Sequence, residues 1–578
     1  MKPMLSAALL ACVQVVLAQP ADDVILKAMK EEMNRGKALR VVGDPPYFFE
    51  YTLDDAEFYT VSASYGALNV ERSSRARQPR VRIRVGDPKL DNTNHIYSDI
   101  YRGARYDSSQ FPLDDNYQTL RLGFWLATDR AYKQALEAFA RKKASLKNMA
   151  ATGEQLPDFS AAPPVSLILP IVRKPIDAAS WKAAAKDVSS LFSTYPEVLL
   201  SDVSLSMSQT TSYLVNSEGG EFRTPDHLAS FRVRASAFAP DGSVVRDYVE
   251  YHSLDPLRMP KGEEMKRAAL QVADTVRDIT KAAVLESYAG PVLFEGQAGA
   301  QLLAEVLGRS FHVIRRPVTD PDRPINLPAG ELEGRLGSRI LPDWIDVVDD
   351  PTQKEYRGMP LLGHYLIDVE GVVPKPLQMV EKGVLKTYYS TRQPIQGVES
   401  SNGHARIPGS LGNNTALAGN LFVKANQTQP EAELRKKLLE MTKQRNKPFA
   451  IIVRKMDFPS TASLDELRRI AGGTQGRAVS MPLRIYKVFP DGKEELIRGV
   501  RFRGLSVRTL KEILAASEEL HTFEYLENGG PFAHADAGGY VAPTSVISPA
   551  LLFEDLELEK IQGEVPRPPI VPPPPLTH

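Results

Sequence analysis

The sequence predicts an α+β protein with two large domains, built on mixed and antiparallel sheets with flanking helices. Its 578 residues exceed what one hydrophobic core supports, since single cores stop growing at roughly 250–300 residues. Helical and alternating segments follow one another without a regular strand–helix repeat, and Pro240-Asp241-Gly242 marks a hairpin. This order favours antiparallel and mixed sheets over a doubly wound parallel sheet.

Composition and charge point to an ordinary globular protein. Hydrophobic residues make up 43% of the chain, and 71 basic residues balance 71 acidic ones. No bulk charge therefore draws the chain to nucleic acid or to an anionic membrane. Arg80, Arg82 and Arg84 alternate with apolar residues, a pattern that predicts the outer face of a half-buried strand rather than a nucleic-acid site.

The first 18 residues predict a secretory signal peptide. Lys2 provides the positive start, residues 5–16 form a short apolar core, and Ala18 ends a small-residue cleavage site before Gln19. The apolar run is too short to span a bilayer. No later segment approaches eighteen uninterrupted apolar residues, so we expect an exported protein, periplasmic or extracellular, without a transmembrane segment.

Cys12 is the only cysteine in the chain, and it lies inside the predicted signal peptide. It leaves a second possibility open, a lipoprotein anchored through Cys12. We rank that possibility lower because apolar residues 15–17 would follow the lipidated cysteine. In either case the rest of the mature chain has no disulfide, no thiolate nucleophile and no cysteine metal ligand.

Residues 19–289 form the predicted N-terminal α+β domain. Ile25, Met29 and Met33 recur every fourth residue and predict an opening helix. We expect helices at residues 22–39, 117–149, 178–192 and 262–285, and strands at residues 58–84, 198–215 and 231–251. Residues 153–164, rich in proline, alanine and polar side chains, predict a surface linker.

Residues 290–560 form the predicted C-terminal domain, which is richer in strands. We expect strands at residues 344–348, 377–380, 385–389, 449–456, 483–488 and 494–501, and helices at residues 431–445, 464–471 and 507–520. Residues 561–578 are a proline-rich tail, which predicts an extended and unpacked segment.

The organising stretch of the chain is residues 290–311. It predicts a short buried strand, a glycine-rich turn and a helix whose apolar residues recur every three or four positions. Glu295 stands at the strand-to-helix corner, and the glycines there allow another backbone or a ligand to approach closely. A catalytic centre would lie at this corner.

This stretch resembles the start of the C-terminal domain of the TldD/PmbA family, zinc metallopeptidases also labelled modulators of DNA gyrase. Active TldD-type members carry His-Glu-x-x-x-His after the strand, whereas this chain has Phe294, Glu295 and Gly299 at the three motif positions. The family's third ligand, a cysteine near the C-terminus, has no counterpart in residues 532–539. The chain therefore resembles the PmbA-type partner, which lacks the metal motif, and no zinc is expected.

Further motifs carry the resemblance from residue 290 to residue 559. They are an Asp-x-Glu-Gly turn at residues 368–371, a hairpin turn at residues 381–384 and a Gly-x-x-Arg loop at residues 403–406. The resemblance implies a two-domain subunit that assembles as a TldD–PmbA-type dimer around an enclosed cavity. Expected partners are a second copy or a TldD-type subunit, together with a peptide substrate.

Two groups of side chains are the candidate site. Glu295 would be the general base to a zinc-bound water in an active member, while without ligands it is a helix-start acid favoured by the helix dipole. Gly403, His404 and Arg406 are candidates for substrate binding, since Arg406 could hold a peptide carboxylate in bidentate fashion. The competing interpretation pairs Arg406 with backbone carbonyls of its own loop.

Three functions remain open at this stage. The first is a non-catalytic PmbA-type subunit, a pseudoenzyme of a peptide-degrading or peptide-maturing complex. The second is an active metallopeptidase with displaced zinc ligands, drawn from His312, His404 and His534 together with Glu295. The third is an exported peptide-binding protein without a protease partner. His534 and Asp536 share a face of an extended segment, but a solvated loop explains them more simply.

Overall fold

The structure is a computed structural model that describes residues 23–38, 45–96, 111–148, 156–319, 329–409, 412–458, 479–527 and 540–561. The predicted signal peptide, the predicted helix at residues 464–471, the His534 segment and the proline-rich tail from residue 562 lie outside these ranges. Within them, no helix is long and apolar enough to cross a membrane.

The N-terminal half is built on a sheet that helices cover. Its elements are α1 (Val24–Gly36), β1 (Pro46–Ser64), β2 (Ala67–Val85), β3 (His95–Ile96), α2 (Tyr117–Asn148), β4 (Ser166–Ile168), α3 (Ala178–Ser190), β5 (Leu200–Asn216), β6 (Glu221–Phe238), β7 (Val244–Ser253) and α4 (Glu263–Lys281). The strand order is β2-β1-β5-β6-β4. Strand β4 pairs with residues 221–223 of β6, and β7 pairs with residues 229–238 of β6. All of these pairs are antiparallel except β4 with β6.

The long β1–β2 hairpin carries the arginines that the sequence placed on an outer face. Arg80 Nη2 lies 2.9 Å from Asp54, and Arg82 Nη1 lies 3.1 Å from Glu50. Arg84 is buried, with Nη1 2.7 Å from Asp91. The outer-face expectation is therefore wrong for Arg84, because acidic residues beside these arginines satisfy their guanidinium groups and allow burial.

The C-terminal half is organised around a larger sheet. Its elements are β8 (Ala283–Val284), β9 (Ser287–Phe294), α5 (Gln297–Leu303), β10 (Val318–Thr319), β11 (Ile345–Asp349), β12 (Glu355–Tyr356), β13 (Met359–Pro360), β14 (Leu377–Glu381), β15 (Val384–Leu385), β16 (Ala405–Pro408), β17 (Asn414–Ala416), β18 (Asn420–Ala425), α6 (Glu431–Gln444), β19 (Ala450–Met456), β20 (Pro482–Val488), β21 (Glu494–Arg498), β22 (Val500–Arg503), β23 (Ile513–Glu527) and β24 (Ala542–Lys560). The sheet order among these residues is β15-β14-β11-β18-β24-β9-β19-β20-β21-β8. The α+β class with mixed sheets is confirmed.

Strand β24 is the hub of this sheet. One of its edges pairs with β18 and then with β9, while the other pairs with β23 and then with β22. The side chains between these strands form one large core, which includes Phe294, Leu551 and Phe553. The corner that follows β9 is therefore anchored at the centre of the domain.

The predicted helix at residues 507–520 is wrong. A 3-10 turn spans Val507–Glu512, and the chain then continues as β23. Ile513 and Ala515 are buried while Leu514 is exposed, which is the two-residue period of a strand. The hydrogen bonds that β23 makes with β24 override the local helical pattern, because strand pairing depends on residues far away in sequence.

Arg392 joins the two halves of the molecule. Its Nε donates to the Ser160 carbonyl at 3.0 Å, and its Nη1 lies 2.7 Å from the Glu218 carboxylate. The guanidinium also stacks on the rings of Phe48 and Phe159. The Arg392 side chain is only 1% exposed, whereas Glu218 remains 32% exposed, so the guanidinium is withdrawn from bulk water and its carboxylate partner is only partly so.

We expect Arg392→Ala to lower the free energy of unfolding by about 2–4 kcal/mol. The estimate lies below the full cost of breaking a buried ion pair because Glu218 keeps access to water. Urea unfolding followed by circular dichroism measures the change. Arg508→Ala, at an exposed position, is the matched control and should change stability by less than about 0.5 kcal/mol. Equal losses in the two variants would contradict the role of Arg392.

Candidate functional site

The β9–α5 corner is held by ion pairs around Glu295. Its backbone N–H donates to the Val453 carbonyl at 2.9 Å, which continues the pairing of β9 with β19. Arg435 Nη2 donates to Glu295 Oε2 at 3.1 Å, and Arg435 Nε donates to Oε1. Arg454 Nε donates to Oε2 at 2.5 Å. Both oxygens of the carboxylate are therefore occupied.

Glu494 completes this network from β21. Its Oε1 accepts from Arg435 Nη2 at 2.9 Å and from Arg454 Nη2 at 2.8 Å. Burial opposes the charged form of Arg454, yet hydrogen bonds to Glu494 and Glu295 raise the pKa of its guanidinium. Two carboxylates and two guanidiniums thus neutralise each other, so Glu295 is not a free general base.

The two histidine positions of the zinc motif are closed by the fold. The Phe294 ring is fully buried, 5.5 Å between centroids from both Phe502 and Phe553. A Cβ atom added at Gly299 would lie 2.6 Å from the Pro549 carbonyl oxygen, which is closer than such atoms approach in proteins. Position 299 therefore has no room for an imidazole.

Zinc does not fit the described residues. Tetrahedral zinc requires at least three protein ligands, and the described residues contain no group of three His, Cys, Asp or Glu side chains able to hold a metal ion. His312 forms a backbone β-bridge with Tyr389, and the His404 ring stacks on the Tyr389 ring. Glu295 is engaged elsewhere by Arg435 and Arg454, and His534 and Asp536 lie outside the described residues.

The predicted substrate-binding loop is engaged inside the protein. Gly403 has φ +77°, and a Cβ there would lie 2.7 Å from Pro374 Cα. His404 is fully buried, with Nε2 3.4 Å from Asp349 Oδ1. Both residues therefore support the packing of their own loop.

Arg406 binds backbone carbonyls of neighbouring segments. Nη1 donates to Ala418 O at 2.7 Å and Nη2 to Pro543 O at 2.9 Å, while the guanidinium lies 4.2 Å from the centroid of the Tyr365 ring. These carbonyls lie outside its own loop, so the contact differs from the local pairing that the sequence suggested. Both terminal nitrogens of the guanidinium thus bond within this chain, and a substrate-binding role of Arg406 stays a prediction.

A cleft of about 1280 Å³ lies beside the β9–α5 corner. We call it the β7–β23 cleft, after the two strands that form its walls. Its lining comprises residues 248–254 around β7, residues 258–271 of the α4 region in part, Gln297 and Gln301 of α5, residues 356–362 in part, Arg454, Lys455, Arg484, and residues 520–525 of β23 in part. Both halves of the molecule contribute to it, next to α5.

Gln301 of α5 forms hydrogen bonds with β7 and β19 at the cleft. Its Nε2 donates to the Tyr248 hydroxyl at 3.2 Å, and its Oε1 accepts from the Met456 N–H at 2.9 Å. Tyr248 donates in turn to the Met456 carbonyl at 3.1 Å. The amide and the hydroxyl therefore lock α5, β7 and β19 in one arrangement.

Titratable side chains lie on both walls of the cleft. His252 Nδ1 is 2.8 Å from the Ser230 hydroxyl, and His252 Nε2 is 3.4 Å from Glu250 Oε2. Ser230 is not among the residues that line the cleft. Its hydroxyl therefore orients the His252 ring and is not presented to the cleft as a nucleophile. Burial raises the pKa of Glu524 to about 7, against the opposing effect of His252.

Sequence reasoning did not find these cleft residues. Glu250 and His252 are two residues apart on a strand and so share a face. This spacing is the only feature of the sequence that points to any of the cleft residues. Arg484 and Glu524 belong to β20 and β23, and nothing in the sequence connects them to β7. The cleft exists only after the two halves have come together.

Comparison with known proteins points to one family. Residues 287–451 match the family model described as the PmbA/TldA metallopeptidase C-terminal domain. A protein of Archaeoglobus fulgidus named metalloprotease is 32% identical over 78 residues, which is 14% of this chain and 17% of that protein. The match thus spans less than a fifth of that relative's length.

Solved structures share the overall fold. A candidate modulator of a DNA gyrase from Thermotoga maritima superimposes with a TM-score of 0.55 at 13% identity, covering 92% of this chain and 100% of that one. TldE from Thermococcus kodakarensis gives 0.54 at 14% identity, covering 92% and 99%. These identities show the fold alone. Through residues 287–451, which match the family model, the chain is similar to the TldD/PmbA family.

Proposed function

We propose that the chain is a non-catalytic, PmbA-type subunit that helps a TldD-type partner to enclose peptide. The observation that carries the proposal is the Glu295 corner. Phe294 and Gly299 replace both imidazoles, and two arginines occupy the carboxylate, while the cleft beside α5 is retained. The signal-like residues 1–18 support an exported location for this complex.

The walls of the β7–β23 cleft favour an extended peptide. Among the described residues, β7 pairs with β6, and β23 pairs with β24 apart from one bridge between Ser517 and Gln429, so β7 and residues 520–527 of β23 each have one edge without a paired strand. Consecutive residues 248–253 and 522–525 of these strands line the cleft. Unpaired backbone groups at a strand edge bind an extended chain by adding it to the sheet, which supports a peptide as the ligand.

Zinc content tests the non-catalytic role directly. We expect purified mature protein to hold less than about one zinc per several chains after dialysis, because stable zinc needs three or more side-chain ligands. Inductively coupled plasma mass spectrometry measures the content. Stoichiometric zinc after dialysis would instead support the alternative, an active metallopeptidase with displaced ligands.

We expect Gly299→His to destabilise the fold without creating a zinc site. The added side chain must displace the Pro549 carbonyl, and overpacking of this kind costs about 1–3 kcal/mol. Urea unfolding measures the loss. Gly330→His is the control, because a Cβ at Gly330 meets nothing within 4 Å. A stable Gly299→His variant that binds zinc would show that the corner remains competent for metal.

Assembly and activity test the proposed partnership. We expect the protein to sediment as a dimer, alone or with a TldD-type subunit that retains His-Glu-x-x-x-His, with an interface of at least ~2,000 Å². Peptidase activity should appear only with that subunit and disappear when the subunit's motif glutamate is replaced by glutamine.

Glu295→Gln in this chain is the matched variant and should leave the activity of the complex nearly unchanged. The amide keeps a hydrogen-bonding oxygen for Arg435 and Arg454, so the corner should remain folded. A monomer at micromolar concentration, with peptidase activity that depends on Glu295, would contradict both the partnership and the non-catalytic role. Peptide binding by a chain that forms no dimer and produces no activity with a TldD-type subunit would leave the third interpretation, a peptide-binding protein.

A further inference from the structure

The β7–β23 cleft carries an excess of uncompensated positive charge. Two of its cations are committed, since Arg454 bonds to Glu295 and Glu494 while Lys455 Nζ lies 2.6 Å from Asp247. The other cations that line the cleft form no ion pair with a described carboxylate; they are Arg258, Arg267, Arg357 and Arg484. The arrangement is therefore open to an anion.

The acidic residues of the cleft do not balance these arginines. Glu250 Oε1 lies 3.8 Å from both Arg232 and Arg234, which do not line the cleft. These two arginines compensate the charge of Glu250. Glu524 is the second acid, and burial raises the pKa of its carboxyl to about 7, which removes part of its negative charge at neutrality. Glu264 remains, at the exposed start of α4.

Arg484 is the strongest single indication of an anionic ligand. It stands directly opposite Lys455 in the β19–β20 register, and like charges at opposed positions destabilise a sheet. Lys455 is satisfied by Asp247 and by the Tyr248 carbonyl. Arg484 is half-buried in the cleft wall without such a partner, although burying an unpaired charge is costly.

We propose that the β7–β23 cleft selects acidic peptides, with Arg484 as the anchor for a carboxylate and Arg258, Arg267 and Arg357 as a basic rim. The inference rests on the proposed peptide-binding function and adds the class of substrate. An incoming carboxylate supplies the counter-charge that Arg484 lacks, in the bidentate geometry that guanidinium groups favour. The cleft volume of about 1280 Å³ exceeds the roughly 300–1,000 Å³ of common small-molecule sites and suits several peptide residues.

Fluorescence anisotropy with two labelled eight-residue peptides tests the proposal. The peptides share one sequence and differ only in carrying glutamate or glutamine at three positions. We expect the glutamate peptide to bind at least about fivefold more tightly to the full chain at low salt, since each exposed charge pair adds up to about a factor of five. The preference should shrink as added salt screens the charges.

Variants assign the preference to the cleft. Arg484→Gln should reduce the ratio of the two affinities to nearly one, and the triple variant R258Q/R267Q/R357Q should reduce it partly. Arg508→Gln, an exposed arginine outside the cleft lining, is the control and should leave the ratio unchanged. Should Arg484→Gln fail to fold, the triple variant and the salt titration decide the question.

The outcomes separate the two proposals. Equal binding of both peptides would overturn the acidic selectivity and leave the peptide-binding function standing. Absence of binding for both peptides would overturn both. A glutamate preference that survives in Arg484→Gln and in the triple variant would place the selectivity outside this cleft and overturn the inference.

Discussion

The antiparallel pairing of β9 with β24 is the constraint on which the rest of the C-terminal half depends. Its register sets Phe294 opposite Leu551 and Val292 opposite Phe553, which directs the Phe294 ring into the main core. The same pairing brings the Pro549 carbonyl under α5, where only glycine fits at position 299. The packing that stabilises the domain is therefore also what closes both histidine positions of the family motif.

Electrostatic pairing holds the corner together. In this chain the ends of β9, β19, β21 and the start of α6 are joined through Glu295, Arg454, Glu494 and Arg435. Partly buried charges are tolerable when each finds a partner and its hydrogen bonds are satisfied. These pairs thus help to fix the strand–turn–helix geometry of the corner.

The cleft is formed by the packing of the two halves of the chain and not by any one segment. β7 reaches it from the N-terminal half, and α5, β20 and β23 reach it from the C-terminal half. Contacts such as Tyr248 with Met456 and Arg392 with Ser160 hold the halves together. Because one wall comes from each half, the spacing of polar groups across the cleft is set by the same contacts that stabilise the fold.

The sequence by itself determined the α+β class, the family resemblance and the absence of both imidazoles, because residue identity and short-range periodicity carry that information. It also located the turn at Pro240-Asp241-Gly242, where Gly242 has φ +80°. Tertiary structure decided what depends on distant partners. Pairing with β24 made a strand of residues 513–520 despite their helical pattern, and two carbonyls from other segments engaged Arg406. His252, Arg484 and Glu524 meet at one cleft because long-range strand pairing and domain contacts, which no local pattern records, bring β7, β20 and β23 together.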